Sequence, residues 1–209
     1  MVTMLSTPEG KIILASRSPA RQSMMQSAGI RFTTTTAPVD EEALREAGLA
    51  EGINGVDMAT ALAEAKALRV SMMEPGAFVI GSDQLLECDS VWYGKPASTI
   101  DATQTLLALS GKTHQLITAA VVFQGGRRIW HHCESPRVSI RNLDGDTIEQ
   151  YLKALGDDAL ANPGIYKIED RGAQILSRVD GCPYAVMGMP LLHLMAFLRE
   201  RGLVPEGEA

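Results

Sequence analysis

The chain has 209 residues, of which 45% are hydrophobic and 21% charged, and its formal net charge is -6. That length buries a core as one domain, or as one domain with two lobes. The negative charge excludes a general nucleic-acid binder, because the long-range field repels phosphates, but it allows a small phosphorylated ligand where basic side chains cluster. Cys88, Cys133 and Cys182 are odd in number, with no C-x-x-C pair and no histidine at zinc-finger spacing, so they read as free cytosolic thiols. The N-terminus carries neither a basic n-region nor a long apolar stretch, and no run approaches a membrane span; the expectation is a soluble, cytoplasmic protein.

"KIILA" reads as a buried strand, followed by a helix capped by Ser18, entered through Pro19 and ended at Gly29. "RFTTTTAPVDEE" reads as a second β-rich stretch that ends in a loop, and the glycine-bearing "REAGLAEGINGV" as an exposed, mobile loop. Met58, Ala61, Leu62, Ala65, Leu68 and Met72 follow helical spacing, with Asp57 as the cap. "AFVIGSDQLLE" is a strand that runs into polar residues, and "VWYGKP" its hairpin return. A helix is expected over Thr99–Leu109, closed by Gly111. Residues 114–141 read as two long strands joined at Gly125–Gly126. A helix starting at Asp144 or Asp146, a strand in "GAQILSRV" and a closing helix over Leu191–Arg201 follow, with "PEGEA" at 205–209 as a disordered tail. The alternation with intervening hairpins predicts an α/β fold around a mixed sheet.

Four places carry chemistry. In "LASRSPAR" a strand ends in a small polar loop that opens a helix, leaving backbone N–H groups aimed at an anion, with Ser16 and Ser18 as hydroxyl donors. Arg21 in the first turn opposes the helix dipole and makes more sense with an anion in place. Read alone, a helix cap is the simpler account. Asp40, Glu41 and Glu42 suit a hard divalent cation, or equally a solvated acidic loop. Asp83 stands at the end of a buried run, where a carboxylate is costly unless paired, metal-bound or at a cleft. Lys66 lies on a helix border one turn after Leu62, and Lys95 between Gly94 and Pro96 in a tight turn. Together these supply what phosphoanhydride cleavage requires: a bound metal, charge neutralisation and an activated water.

In sequence order, "LASRSPAR", "VDE", "EAKA", "GSDQ", "GKP", "LSGKTH" with Thr118, "GIYKIEDRGA" and "GMPL" resemble the signature segments of the Maf family, from about Ile12 to Leu203. The resemblance implies an α/β fold with an elongated mixed sheet, similar to the inosine triphosphate pyrophosphatases, as one domain of two lobes with a cleft over 1–204. It implies hydrolysis of a nucleoside triphosphate to the monophosphate and pyrophosphate with a divalent cation, Mg2+ or Mn2+, and it allows a homodimer. By position it assigns Ser16, Ser18 and Arg21 to the phosphates, Lys66 and Lys95 to phosphate charge, and Glu41 to the metal. Asp83 matches the family's essential acidic residue, as general base, metal ligand or both. His114 matches a family motif in an orienting or structural role, and Tyr166 a candidate wall of the base pocket.

Three departures bear on the base. Ala20 stands where the commoner motif has arginine, Ser82-Asp83-Gln84 replaces the commoner Ala-Asp-Thr, and Glu169 stands where glutamine is frequent. All three lean toward the branch that prefers 7-methyl-GTP over dTTP and UTP, although "IYKIEDRGAQI" departs from that branch too. N7-methylated guanine carries a positive ring charge, which a carboxylate at Glu169 complements. The alternatives are a dTTP/UTP pyrophosphatase of the same family and a non-catalytic nucleotide-binding regulator of septum formation. His131 and His132 fall on opposite faces of a strand and read as non-ligands, and His193 as packed or solvated.

Overall fold

A computed structural model describes residues 10–204; the expectations for the first nine residues and for the tail lie outside the described residues. In chain order the elements are β1 (Ile12–Leu14), α1 (Pro19–Ser27), β2 (Thr33–Thr34), α2 (Glu41–Ala50), α3 (Gly55–Met73), β3 (Phe78–Cys88), β4 (Val91–Tyr93), α4 (Thr99–Leu109), β5 (Thr113–Gln124), β6 (Arg127–Glu134), β7 (Arg137–Ile140), α5 (Gly145–Leu155), β8 (Leu176–Asp180), α6 (Pro183–Val186) and α7 (Leu191–Glu200). Short 3-10 helices occupy Gly156–Leu160 and Arg171–Gln174. The fold is α/β, with one open mixed sheet of eight strands in the order β2-β1-β3-β5-β7-β8, β4 beside β3 and β6 beside β5. β1 runs parallel to β2 and β3, whereas β4 is antiparallel to β3, and β7 to β5 and β8.

The chain forms two compact units. The first holds the residues up to Asp83, Ala119–Cys133 and the residues from Gly188 onward. Its core includes Ile13, Leu14, Met25, Met58, Leu62 and Ile80, all fully buried. The second holds Gln84–Thr118 and Glu134–Met187, and packs Leu86, Leu106, Leu109, Val138, Ile148 and Ile165 in a core of its own. Among the described residues no helix is long and apolar enough to cross a membrane.

Local sequence explains most of the elements. Ser18 caps α1, Ser98 caps α4 and Asp144 caps α5, each accepting a backbone N–H three residues on. The β5–β6 hairpin turns on Gly125 and Gly126, whose φ values of 55° and 75° are those of a type I′ turn, costly for any residue with a Cβ.

Five expectations are corrected. The segment read as a mobile loop from Arg45 is largely helix: α2 starts at Glu41, capped by the Asp40 carboxylate, with two glutamates in its first turn. Its alanines, leucines and glutamates favour helix strongly enough to carry the single Gly48. The cap of α3 is Asn54 rather than Asp57, which instead hydrogen-bonds back to Asn54. On α3 the expected Met58 and Leu62 are buried, but Leu68 and Met72 are exposed: the buried face continues through Ala63, Ala67 and Val70, and Gly81 of β3 comes so close to Ala63 and Ala67 that no larger side chain fits there. The second long strand breaks at Ser135–Pro136 into β6 and β7, as proline lacks the N–H that would continue the ladder. The last strand begins only at Leu176, its expected start being the 3-10 helix at Arg171–Gln174.

Candidate active site

Register on the sheet brings the first motif level with Asp83. Leu14 pairs with Ile80, and the Ala15 N–H donates to the Ile80 carbonyl at 2.8 Å. The loop after β1 therefore begins where β3 carries on toward Asp83, at the carboxyl ends of parallel strands, where α/β folds place ligand sites. Asp83 is not the end of a buried run, as the sequence reads; β3 continues to Cys88 with Leu85 and Leu86 buried.

In the loop, the buried Ser16 hydroxyl accepts from the Ser18 N–H at 3.2 Å and from Arg21 Nη1 at 3.3 Å. Arg21 Nε donates to the Gly188 carbonyl at 2.7 Å, and Ser82 Oγ donates to the same carbonyl at 2.9 Å and to Ala119 O at 2.8 Å. Arg21 is thus held at two of its donor atoms, with its fork beside the start of α1. Burial pulls the Arg21 pKa down from its ordinary value, while the Asp83 and Glu41 carboxylates oppose that shift. The guanidinium stays charged in any case.

α3 supplies the counter-ion. Gly81 and Asp83 share one face of β3. A Cβ at Gly81 would overlap the Ala63 carbonyl oxygen and stand 2.9 Å from the Ala67 Cβ. This close approach puts Lys66 above Asp83, and Lys66 Nζ donates to Asp83 Oδ1. The same ammonium lies 3.0 Å from Glu41 Oε1, so one lysine joins the two acidic residues that the sequence singles out.

Arg45, which the sequence reading leaves in a loop, completes the group. Its Nη2 lies 3.6 Å from Glu41 Oε2 and 3.8 Å from Asp83 Oδ2. The signal was the i, i+4 spacing of Glu41 and Arg45, which has meaning only on a helix. Arg69 Nη1 donates to the Pro38 carbonyl at 2.7 Å and tethers the entry to α2. Asp83 is 4% exposed, and its Oδ2 has no hydrogen-bond partner among the described residues; nor has Arg45 Nε.

The structure thus brings together Ser16, Ser18, Arg21, Glu41, Lys66 and Asp83 in the first unit. Lys95 and Glu169 belong to the second and are both exposed. Lys95 lies in an irregular loop after β4 rather than in a tight turn, and Glu169 in the turn that precedes the 3-10 helix at Arg171–Gln174. In that unit His114 is 1% exposed, and its Nε2 shares a 2.7 Å hydrogen bond with the Tyr166 hydroxyl. Burial lowers the His114 pKa to about 4, so the ring is neutral at physiological pH and orients Tyr166 without bearing charge. Gln84 Nε2 donates to Thr118 Oγ1 at 2.8 Å and to the Ala185 and Val186 carbonyls at 2.9 and 3.1 Å.

A cluster of two carboxylates, three cations and a helix N-terminus suits a polyanionic phosphate ester. The family described as Maf-like protein matches residues 11–201. The chain belongs to that family. Among curated relatives, this Maf-family chain is 46% identical over 194 residues to a nucleoside triphosphate pyrophosphatase of Paramagnetospirillum magneticum, covering 92% of this chain and 100% of the relative. It is 40% identical over 189 residues to a 7-methyl-GTP pyrophosphatase of Brucella abortus, covering 90% and 95%. It is 42% identical over 194 residues to a 7-methyl-GTP pyrophosphatase of Mesorhizobium japonicum, covering 93% and 98%.

Proposed function

We propose that this Maf-family chain hydrolyses a nucleoside triphosphate to the monophosphate and pyrophosphate, with a 7-methylated guanine nucleotide as its preferred substrate. The observation that carries the reaction is the Lys66 bridge between Glu41 and Asp83, with Asp83 Oδ2 buried, without a hydrogen bond among the described residues and 3.8 Å from Arg45 Nη2. Glu169 supports the base preference, since an exposed carboxylate complements a cationic purine ring and a glutamine does not.

The donor set fits a hard divalent cation such as Mg2+ or Mn2+. Asp83 Oδ2 is a buried oxygen without a hydrogen-bond partner among the described residues, and Glu41 offers a second carboxylate in the same cluster. Glu41 and Asp83 would hold the ion, which when bound supplies Lewis-acid polarisation of a phosphoryl oxygen and acidifies water. Lys66 holds Asp83 Oδ1 and so orients the carboxylate, which takes a proton from the attacking water. The water oxygen bonds to the α-phosphorus, the α–β bridging bond breaks, and pyrophosphate departs with its charge met by cations. The start of α1 with Ser16, Ser18 and Arg21 cradles the phosphates, and Arg45 adds positive charge.

The test is pyrophosphate release by the purified chain with Mg2+ or Mn2+ across 7-methyl-GTP, GTP, dTTP, UTP and CTP. Turnover fastest on 7-methyl-GTP supports both parts of the reading. Turnover fastest on dTTP or UTP overturns the base preference only. Binding of a nucleotide that stays intact overturns hydrolysis.

A further inference from the structure

Away from that cluster, a second set of ligating side chains gathers where β6 faces α7. His132 of β6 and His193 of α7 stack face to face, with ring centroids 3.7 Å apart and planes 19° from parallel. Trp130 flanks His132 on the same strand face, at 6.3 Å between centroids, and itself stacks on Phe197 at 5.5 Å, with the Arg201 guanidinium over the Phe197 ring at 5.3 Å. This column of rings, all in the first unit, fixes His132 in orientation. Glu134 ends β6 two residues after His132, on the same face of the strand by alternation. Each of the three side chains offers one ligand atom, and these atoms lie within 4.8 Å of one another.

We infer that His132, His193 and Glu134 form a binding site for a borderline transition-metal ion of the Zn2+, Co2+ or Ni2+ class, separate from the carboxylate cluster. The chemistry of the donors sets the class. Imidazole favours these ions over Mg2+, whereas the all-oxygen set of Glu41 and Asp83 favours Mg2+ or Mn2+. Two imidazoles and a carboxylate leave coordination positions open for water. Binding requires the exposed His193 ring to turn so that its lone pair converges with those of His132 and Glu134, and it ties the edge strand β6 to the closing helix α7. Alternation along the strand separates His132 from His131 in the sequence, but it gives no hint that His193, far along the chain, meets one of them.

The experiment uses the full chain without a polyhistidine tag, saturated with Mg2+ and titrated with Co2+ by absorbance and with Zn2+ by calorimetry. One Co2+ or Zn2+ per chain beyond the Mg2+ sites is expected. The affinity should fall by roughly tenfold or more in His193→Ala. His193 is exposed, so that variant should fold. Glu134→Gln should weaken the site less, and a Cys133→Ser control should bind as the wild type does. Unchanged Co2+ and Zn2+ binding in His193→Ala overturns the proposal. So does loss of binding in Cys133→Ser alone, which would mark the ion as a thiolate adduct.

Discussion

Gly81 of β3 and Ala63 of α3 meet at backbone contact, with no room for a Cβ between them. The consequence lies two residues on along the strand and one turn on along the helix, where Lys66 reaches Asp83. The spacing between these elements thus acts on the chemistry through the position of a single ammonium.

Gly81→Ala should therefore damage stability and turnover together. Overpacking at such a contact costs about 1–3 kcal/mol, and moving α3 outward also loosens Lys66 from Asp83. Thermal unfolding and steady-state kinetics on one preparation check this: a lower Tm with an unchanged kcat would separate the packing from the site.

Asp83→Asn should lower kcat by roughly 10³-fold or more, because the amide neither takes the water proton nor neutralises Lys66. Arg45→Ala should lower kcat/KM by roughly 10–100-fold, with Arg45→Lys recovering part of the loss. A wild-type rate in Arg45→Ala would remove Arg45 from the working cluster.

Glu41→Gln should raise the Mg2+ or Mn2+ concentration needed for half-maximal activity by about tenfold, by analogy with the loss of a supporting ligand contact. Activity measured against metal concentration after removal of metal with a chelator checks this. An identical metal dependence would place Glu41 with the phosphate cations rather than with the ion.

His114 sets a pH dependence of stability. Burial holds its pKa at about 4 in the folded chain, below the ordinary 6.5. As pH falls through about 6.5 the unfolded chain takes up a proton that the folded chain refuses until about 4. Stability therefore declines across that window, by on the order of 3 kcal/mol at most, and the decline stops below it. Denaturant unfolding at pH 7, 5.5 and 4.5 should show a steeper loss in the wild type than in His114→Gln.

Glu169→Gln should reduce discrimination between 7-methyl-GTP and GTP by about two- to fivefold, a modest factor because the carboxylate is exposed and screened. The ratio of kcat/KM values for the two nucleotides is the readout, and an unchanged ratio would take Glu169 out of base selection.

Local chemistry made much of this protein legible in the chain. The caps at Ser18, Ser98 and Asp144 and the Gly125–Gly126 turn depend on neighbours within a few residues, and so does the anion-directed start of α1. The ordered motifs likewise point to the family from the sequence alone. α2 escaped because three glycines across "REAGLAEGINGV" outweighed its helix formers, and with the helix went Arg45, whose role exists only when Glu41 lies one turn away. What tertiary structure alone decided is which charges meet. Asp83 lies 17 residues from Lys66 in the chain, and Arg21 lies 167 from the Gly188 carbonyl that holds it. Such pairings follow from strand register and from the closeness of α3 to β3, quantities that depend on the whole core and are written in no single segment.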